Sequence, residues 1–227
     1  GSHVDAPSMA RVPYDPVNDF THIALLGGPP GVLAVTNASP ARDLKSLIAL
    51  SKTSPLSFGS AGTGTHGHIT MEMFKLAANM EMTHIPYKGA GQAVGDLRAG
   101  HIPVAVGTLV AMSQQMKAGA IRPLAITADR RVPEFPDLPT FAELGYPMVV
   151  ATTWFSLSGP ARMPEDVTRL LNLEVRRAMK SVDVRQRLVL EGIEASDMDS
   201  AQFTDFVRSE IVRWGPAAKR AALAKSG

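Results

Sequence analysis

Residues 57–76, SFGSAGTGTHGHITMEMFKL, contain a glycine-rich segment between an apolar run and a helical pattern. The apolar run at 56–61 predicts a β-strand, and the apolar periodicity of 68–80 predicts an α-helix. Between them, residues 62–67 (GTGTHG) formally match the pattern G-x-G-x-x-G. A loop from the end of a strand to the start of a helix presents free backbone N–H groups and the positive end of the helix dipole. The stretch therefore predicts an anion-binding site.

The kind of anion is less well defined by these residues. A dinucleotide site requires an acidic residue about 20 positions further on, at the end of the second strand. The next predicted strand, 83–88, ends in Pro86-Tyr87-Lys88, and Glu81 precedes it. Three interpretations stay open: a nucleotide or phosphate loop, a tight turn with a purely structural role, and a loop for a small carboxylate. The residues favour the carboxylate, and no cofactor is expected.

Several polar side chains accompany the loop. The hydroxyls of Ser60, Thr63 and Thr65 add donors to its amides. Thr108 follows another predicted strand and reaches the same sheet edge, where it either contacts the ligand or only caps a helix. Lys88 either pairs with a carboxylate or is a solvated surface residue.

The two histidines of the loop do not predict a metal site. His66 and His68 are two positions apart, so on a helix they point in different directions, and the sequence offers no third ligand with suitable spacing. We expect His66 to line the loop and His68 to pack or face solvent.

Outward from this stretch, short strands alternate with helices, which predicts an α/β fold with a mostly parallel sheet and right-handed crossovers. Strands are predicted at 22–28, 31–37, 56–61, 83–88, 102–107, 121–127 and 148–160, with a short one at 192–197. Helices are predicted at 39–52 with Ser39 as N-cap, at 68–80, 90–99, 109–118 and 139–144, after Pro164, after Ser181 and over 200–214.

Composition excludes several classes of function. The formal net charge of +2 gives no reason to expect a nucleic-acid partner, and the absence of cysteine excludes disulfides and thiolate metal sites. No run approaches the ~20 apolar residues of a membrane helix. Residues 1–3 are interpreted as the remnant of a cleaved tag, and the sequence shows no signal peptide.

Six blocks in fixed order resemble a known family. They are PYDPVNDF, SFGSAGTGTHGH, THIPYKGAGQAVGDLRAGHIPVAVGT, AGAIRPLAIT, PDLPTFAELG and WFSLSGPARMPEDV. Together they resemble the extracytoplasmic solute receptors of tripartite tricarboxylate transporters, the Bug or TctC family. The resemblance implies a two-lobed periplasmic binding protein of type II that is not an enzyme. Such a protein closes on a small di- or tricarboxylate or related organic acid and delivers it to the membrane subunits of the transporter.

The resemblance also implies site residues. The block SAGTGTHG corresponds to the family's second-lobe carboxylate cradle, which assigns ligand contacts to Ser60, Thr63, Gly64, Thr65 and His66. In VGTLVA the family often has an acidic or amide residue, whereas this chain has Gly107-Thr108.

The order of the blocks implies a domain organisation. Residues 37–150 are expected to form a complete second lobe. Residues 4–36 and 151–227 are expected to form a first lobe that lacks its N-terminal βα units. The faces left uncovered predict self-association or strand exchange between chains. The alternative from another class is an α/β enzyme whose Gly-rich loop holds a phosphate or nucleotide.

Overall fold

The computed structural model describes Val4, Pro7 and residues 12–150, 152–190 and 192–223. The expected tag remnant, residues 1–3, lies outside this part. Backbone contacts divide the chain into two compact units. The first unit is Gly1–Pro29 with Thr153–Gly227, and the second unit is Pro30–Thr152.

The elements alternate in chain order much as the sequence predicts. They are β1 (Phe20–Gly27), β2 (Gly31–Thr36), α1 (Leu44–Thr53), β3 (Ser57–Ser60), α2 (His66–Ala78), β4 (Thr83–Pro86), α3 (Ala90–Ala99), β5 (Val104–Thr108), α4 (Leu109–Lys117), β6 (Ile121–Ile126), a 3-10 turn (Pro147–Val149), β7 (Phe155–Pro160), α5 (Glu165–Met179), α6 (Val182–Leu190) and α7 (Ser200–Leu223).

The second unit contains a five-stranded sheet in the order β4-β3-β5-β2-β6. Strand β3 runs parallel to β4 and β5, whereas β2 runs antiparallel to both β5 and β6. Four strands therefore share one direction, as a mostly parallel sheet requires, and β2 runs against them. Residues up to 36 were expected in the first lobe. Because β2 is buried between β5 and β6, it belongs to the sheet of the second unit.

Helices cover both faces of this sheet. Along β2, side chains alternate between two buried apolar clusters: Leu33 and Val35 face one, and Val32 and Ala34 face the other. This is the period of two expected for a strand buried on both sides. Phe74 of α2 lies in the first cluster and Met112 of α4 in the second. The second unit is thus a layered α/β structure, as predicted.

The connections bring several helix starts to one edge of the sheet. Helices α2, α3 and α4 follow the carboxyl ends of β3, β4 and β5, and β2 begins at the same edge, where Gly31 pairs with Thr108. We call this the carboxyl edge. Open α/β sheets bind ligands outside the carboxyl ends of their strands, so the fold places the predicted anion loop where a ligand site is expected.

The first unit is built differently. Its strands β1 and β7 form a two-stranded antiparallel sheet, not a parallel one. Residues Trp154, Phe203 and Val207 are buried in its apolar cluster, with Leu25 of β1. Helices α5 and α7 pack on β1.

Four local predictions differ from the structure. The first helix begins at Leu44 rather than near Ser39, because Asp43 is its N-cap and forms a capping box with Ser46. In place of the helix expected at 139–144, Thr140 forms a β-bridge with Ile126 and residues 141–145 form a turn, and 192–197 form no strand within the described chain. Of the expected strand at 148–160 only β7 (Phe155–Pro160) is observed, and a 3-10 turn occupies Pro147–Val149.

Candidate functional site

The Gly-rich loop, defined here as residues 61–65, joins β3 to α2 at the carboxyl edge. Thr65 is the N-cap of α2, and its side chain makes no capping hydrogen bond. Its carbonyl oxygen accepts from the Ile69 amide at 3.1 Å. The amides of residues 66–68 therefore have no acceptor inside the helix, as is general for a first helical turn. This turn directs both donors and the positive end of the helix dipole outward from the loop.

The loop holds its own shape through internal hydrogen bonds. The carbonyl of Gly62 accepts from the Thr65 amide at 3.3 Å and from the Thr65 hydroxyl at 2.7 Å. The Gly64 amide donates to Nδ1 of His68 at 3.1 Å. Gly62 and Gly64 have φ values of +143° and +77°, which glycine adopts without the steric penalty of a Cβ. The glycines of the motif thus fulfil a conformational need.

Ser60, at the end of β3, contacts the loop backbone through its buried hydroxyl. Its side chain is fully buried, and its hydroxyl lies 2.8 Å from Nε2 of His84 and 3.1 Å from the carbonyl of Gly62. The same hydroxyl accepts from the Gly62 amide at 3.3 Å. The hydroxyls of Ser60 and Thr65, both predicted to contact a ligand, are therefore engaged with the loop itself.

Thr63 and His66 are at the surface of the loop. Thr63 is exposed, and His66 is half-buried with Nε2 3.4 Å from the Thr70 hydroxyl. Behind them, a Cβ added to Gly67 would lie 2.8 Å from the carbonyl oxygen of Val106. The start of α2 is therefore pressed against β5 at a distance that only glycine permits.

The end of β4 flanks the loop. A Cβ on Gly62 would lie 3.1 Å from the carbonyl oxygen of Tyr87. The Tyr87 hydroxyl donates to Asp96 at 2.7 Å, and burial together with this bond and the negative charge of Asp96 raises the pKa of Tyr87 to about 12. Lys88 is exposed and forms no ion pair with the described part of the chain, and a Cβ added to Gly89 would meet open space.

Thr108 has the capping role that the sequence analysis kept as its alternative. It is half-buried, and its hydroxyl accepts from the Ala111 amide at 3.4 Å at the start of α4. Its neighbour across the sheet, Gly31, donates its amide to the hydroxyl of Thr127 at 2.7 Å. Thr127 is fully buried at the end of β6. Thr127 is not among the predicted site residues, although its position after a predicted strand marks the same edge.

These placements define what the carboxyl edge can do. The N-termini of α2, α3 and α4 lie at this edge, and the exposed Lys88 follows Tyr87 just after β4. Such an arrangement favours a bound anion. Among the described residues, no group of three or more His, Cys, Asp or Glu side chains could hold a metal ion. No helix in the described ranges is long and apolar enough to cross a membrane.

The fold is that of periplasmic binding proteins such as BugD, whose solved structure is 25% identical with a TM-score of 0.84, over 97% of this chain and 75% of that one. The Rhodopseudomonas palustris protein Rpa4515, solved with adipate, is 31% identical with a TM-score of 0.84, over 96% of this chain and 75% of that one. MatC from Rhodopseudomonas palustris, solved with bound malate, is 28% identical with a TM-score of 0.84, over 96% of this chain and 76% of that one.

The family follows from the sequence. The model of the tripartite tricarboxylate transporter family receptor, TctC, matches residues 2–223, and the chain belongs to this family. A relative from Pseudomonas sp. strain P51, the UPF0065 protein in the tcbD-tcbE intergenic region, is 34% identical over 217 residues. That match covers 94% of this chain and 65% of the relative, so the chain spans about two thirds of its length. Membership in a receptor family confirms the resemblance and supports the expectation that the chain is not an enzyme.

Proposed function

We propose that this chain is the solute-binding receptor, or part of it, of a tripartite tricarboxylate transporter and that it binds a small organic carboxylate at its carboxyl edge. The observation that carries the proposal is the first turn of α2. Its amides lack helical acceptors, and they follow a loop whose backbone is fixed by the bond from Gly64 to His68 and by the Thr65 hydroxyl. Related proteins solved with adipate and with malate support a carboxylate as the ligand class.

The predicted contacts divide into two groups under this proposal. The amides of His66 and Gly67, together with the exposed Thr63, bind the carboxylate, and Lys88 contributes long-range attraction. Ser60, Gly64, Thr65 and Thr108 hold the backbone in place through the hydrogen bonds described above. A contact from the side chain of His66 or Thr108 to a ligand stays a prediction.

Membership in the family supports a cellular role for the chain. We propose that the receptor acts in the periplasm and hands its solute to the membrane subunits of the transporter. This role involves binding and release without a chemical step.

A thermal-shift panel tests the ligand class. Succinate, malate, adipate and citrate should each be compared with NAD, ATP and inorganic phosphate at equal ionic strength. A ligand that binds only the folded state raises the melting temperature with its concentration. Stabilisation by the carboxylates alone supports the receptor. Stabilisation by NAD or ATP alone would favour the alternative, an α/β enzyme with a phosphate loop.

Two threonine variants locate the site. Thr63→Ala and Thr65→Ala should both weaken carboxylate binding, the first by removing an exposed hydroxyl and the second by freeing the Gly62 carbonyl from its 2.7 Å bond. Unchanged affinity in both variants would reject the loop as the binding site. Thr53→Ala, at the exposed end of α1, is the matched control.

We also propose that the chain self-associates through the first unit, with a second copy as the partner. Strand β7 pairs only with β1 among the described strands, and Phe155 and Leu157 on it are exposed. An exposed apolar edge strand is a template for pairing with another chain. Light scattering at low micromolar concentration tests this, and a monomeric mass would refute it.

A further inference from the structure

Two imidazole rings are stacked directly beneath the Gly-rich loop. The ring of His68, in the first turn of α2, lies 3.7 Å from that of His84, on β4, with 10° between the planes. His84 also stacks on Phe58 of β3 at 4.9 Å. His68 is 1% exposed. The stack joins three elements of the second unit at the point where the loop begins and ends.

Each ring is hydrogen bonded to a different part of the loop region. His68 accepts from the Gly64 amide through Nδ1, and His84 contacts the Ser60 hydroxyl through Nε2. Because Nδ1 accepts, a neutral His68 carries its proton on Nε2. The Ser60 hydroxyl in turn contacts both the amide and the carbonyl of Gly62. The stacked pair therefore restrains Gly62 and Gly64, the two loop glycines with positive φ.

We infer that His68 and His84 are positioning residues that hold the Gly-rich loop in a single backbone conformation, so that the α2 amides are ready for an organic acid. The effect on binding an organic acid rests on the proposed function, whereas the restraint of the loop by the two histidines does not. Left-handed glycines have many alternative conformations, and a loop ordered before binding loses less entropy when the ligand arrives. Neither histidine needs to touch the ligand.

The test separates loop positioning from ligand binding by measuring both. In ligand-free protein, hydrogen exchange of the Gly64 amide, followed by NMR, reports the bond to His68. His68→Leu removes the acceptor, whereas His68→Asn places an amide oxygen close to the position of Nδ1. We expect the Leu variant to lose protection at Gly64 and the Asn variant to retain most of it. His101→Leu, a change at an exposed histidine beyond the far end of α3, should leave it unchanged.

A second variant addresses His84. His84→Phe keeps an aromatic ring in the stack and removes the contact with Ser60. Faster exchange is then expected at the Gly62 amide, whose acceptor is the Ser60 hydroxyl, with little change in melting temperature. This variant keeps the inference testable if His68→Leu fails to fold.

Calorimetric titration with adipate measures the effect of the same variants on ligand affinity. His68→Leu should weaken adipate binding roughly tenfold, as the loss of one buried hydrogen bond predicts, and His68→Asn should restore most of it. If wild-type protein binds no adipate while Gly64 shows the expected exchange pattern, positioning stands and the proposed ligand fails. If Gly64 exchanges freely in the wild type, or if His68→Leu changes neither exchange nor affinity, the inference is overturned.

Discussion

The amide of His66 offers the sharpest test of carboxylate binding by the backbone. His66 is the first residue of α2, a position where proline is well tolerated because its missing N–H has no helical acceptor. The residue before it, Thr65, has φ −74° and ψ 159°, the extended conformation that a following proline requires. His66→Pro should therefore delete one donor without disturbing the helix. Gly67 does not allow this experiment, because any Cβ there would contact the Val106 carbonyl.

The matched control is His66→Ala, which removes the imidazole and its contact with Thr70 but keeps the amide. The difference between the Pro and Ala variants then isolates one N–H group. A hydrogen bond to a charged partner contributes about 1.5–3 kcal/mol, which corresponds to roughly a ten- to hundredfold loss of affinity.

The assay is calorimetric titration of both variants with whichever dicarboxylate of the thermal-shift panel stabilises the wild type most. Thermal unfolding is measured in parallel, and the Pro variant should be at least as stable as the Ala variant, because proline restricts the unfolded chain. Equal affinities of two well-folded variants would refute the idea that this amide binds the carboxylate.

Three further changes test the structure around the site. Gly67→Ala places a Cβ 2.8 Å from the Val106 carbonyl and should lower the free energy of unfolding by about 1–3 kcal/mol in urea; a wild-type midpoint would contradict the close packing of α2 on β5. Asp43→Ala removes the cap on the Ser46 amide and should cost about 1 kcal/mol. Hydrogen bonds from Ser46 lower the pKa of Asp43, so this stabilisation is present above the unfolded pKa of about 4 and is lost as pH falls through the folded value. The difference between Asp43→Ala and wild type should therefore vanish in acid, and a constant difference would count against the cap. Asp197→Asn removes an exposed ion pair with an arginine and a lysine and should lower the melting temperature slightly at low salt and not at 1 M salt.

Much of the second unit could be predicted because its helices are marked by local sequence features, namely apolar spacing and a glycine after the last turn. Helix α3 spans Ala90–Ala99, as the apolar spacing and Gly100 predict, and Gly100 is the C-cap with φ +79°. Gly119 similarly follows α4 with φ +63°. The direction of β2 was not predictable in this way. An apolar run does not encode strand direction, which is set here by pairing with residues at least 69 positions away.

The candidate site also has features that are local in the sequence and features that depend on distant residues. The glycines of the loop are visible in the sequence because their conformational freedom is a local property. The partners of its hydroxyls are not, since His84 lies 24 positions from Ser60 and meets it only through the pairing of β3 with β4. The hydroxyls of Ser60, Thr63 and Thr65 were predicted to be ligand donors, whereas in the structure those of Ser60 and Thr65 are hydrogen bonded to the loop. Thr63 alone among the three is exposed.

A site that recognises its ligand through main-chain amides has a particular mutational signature. Side chains that face the ligand contribute few of the contacts, so replacing Thr63 changes binding modestly. The large effects are expected at residues that fix the backbone: Gly62 and Gly64, which need positive φ, and His68, which holds the Gly64 amide. A group of main-chain amides recognises the charge and position of a carboxylate more than the rest of the acid that carries it. Affinity for carboxylates as a class and selectivity among them should therefore respond to different substitutions. Changes at the residues that fix the loop backbone should alter the affinity.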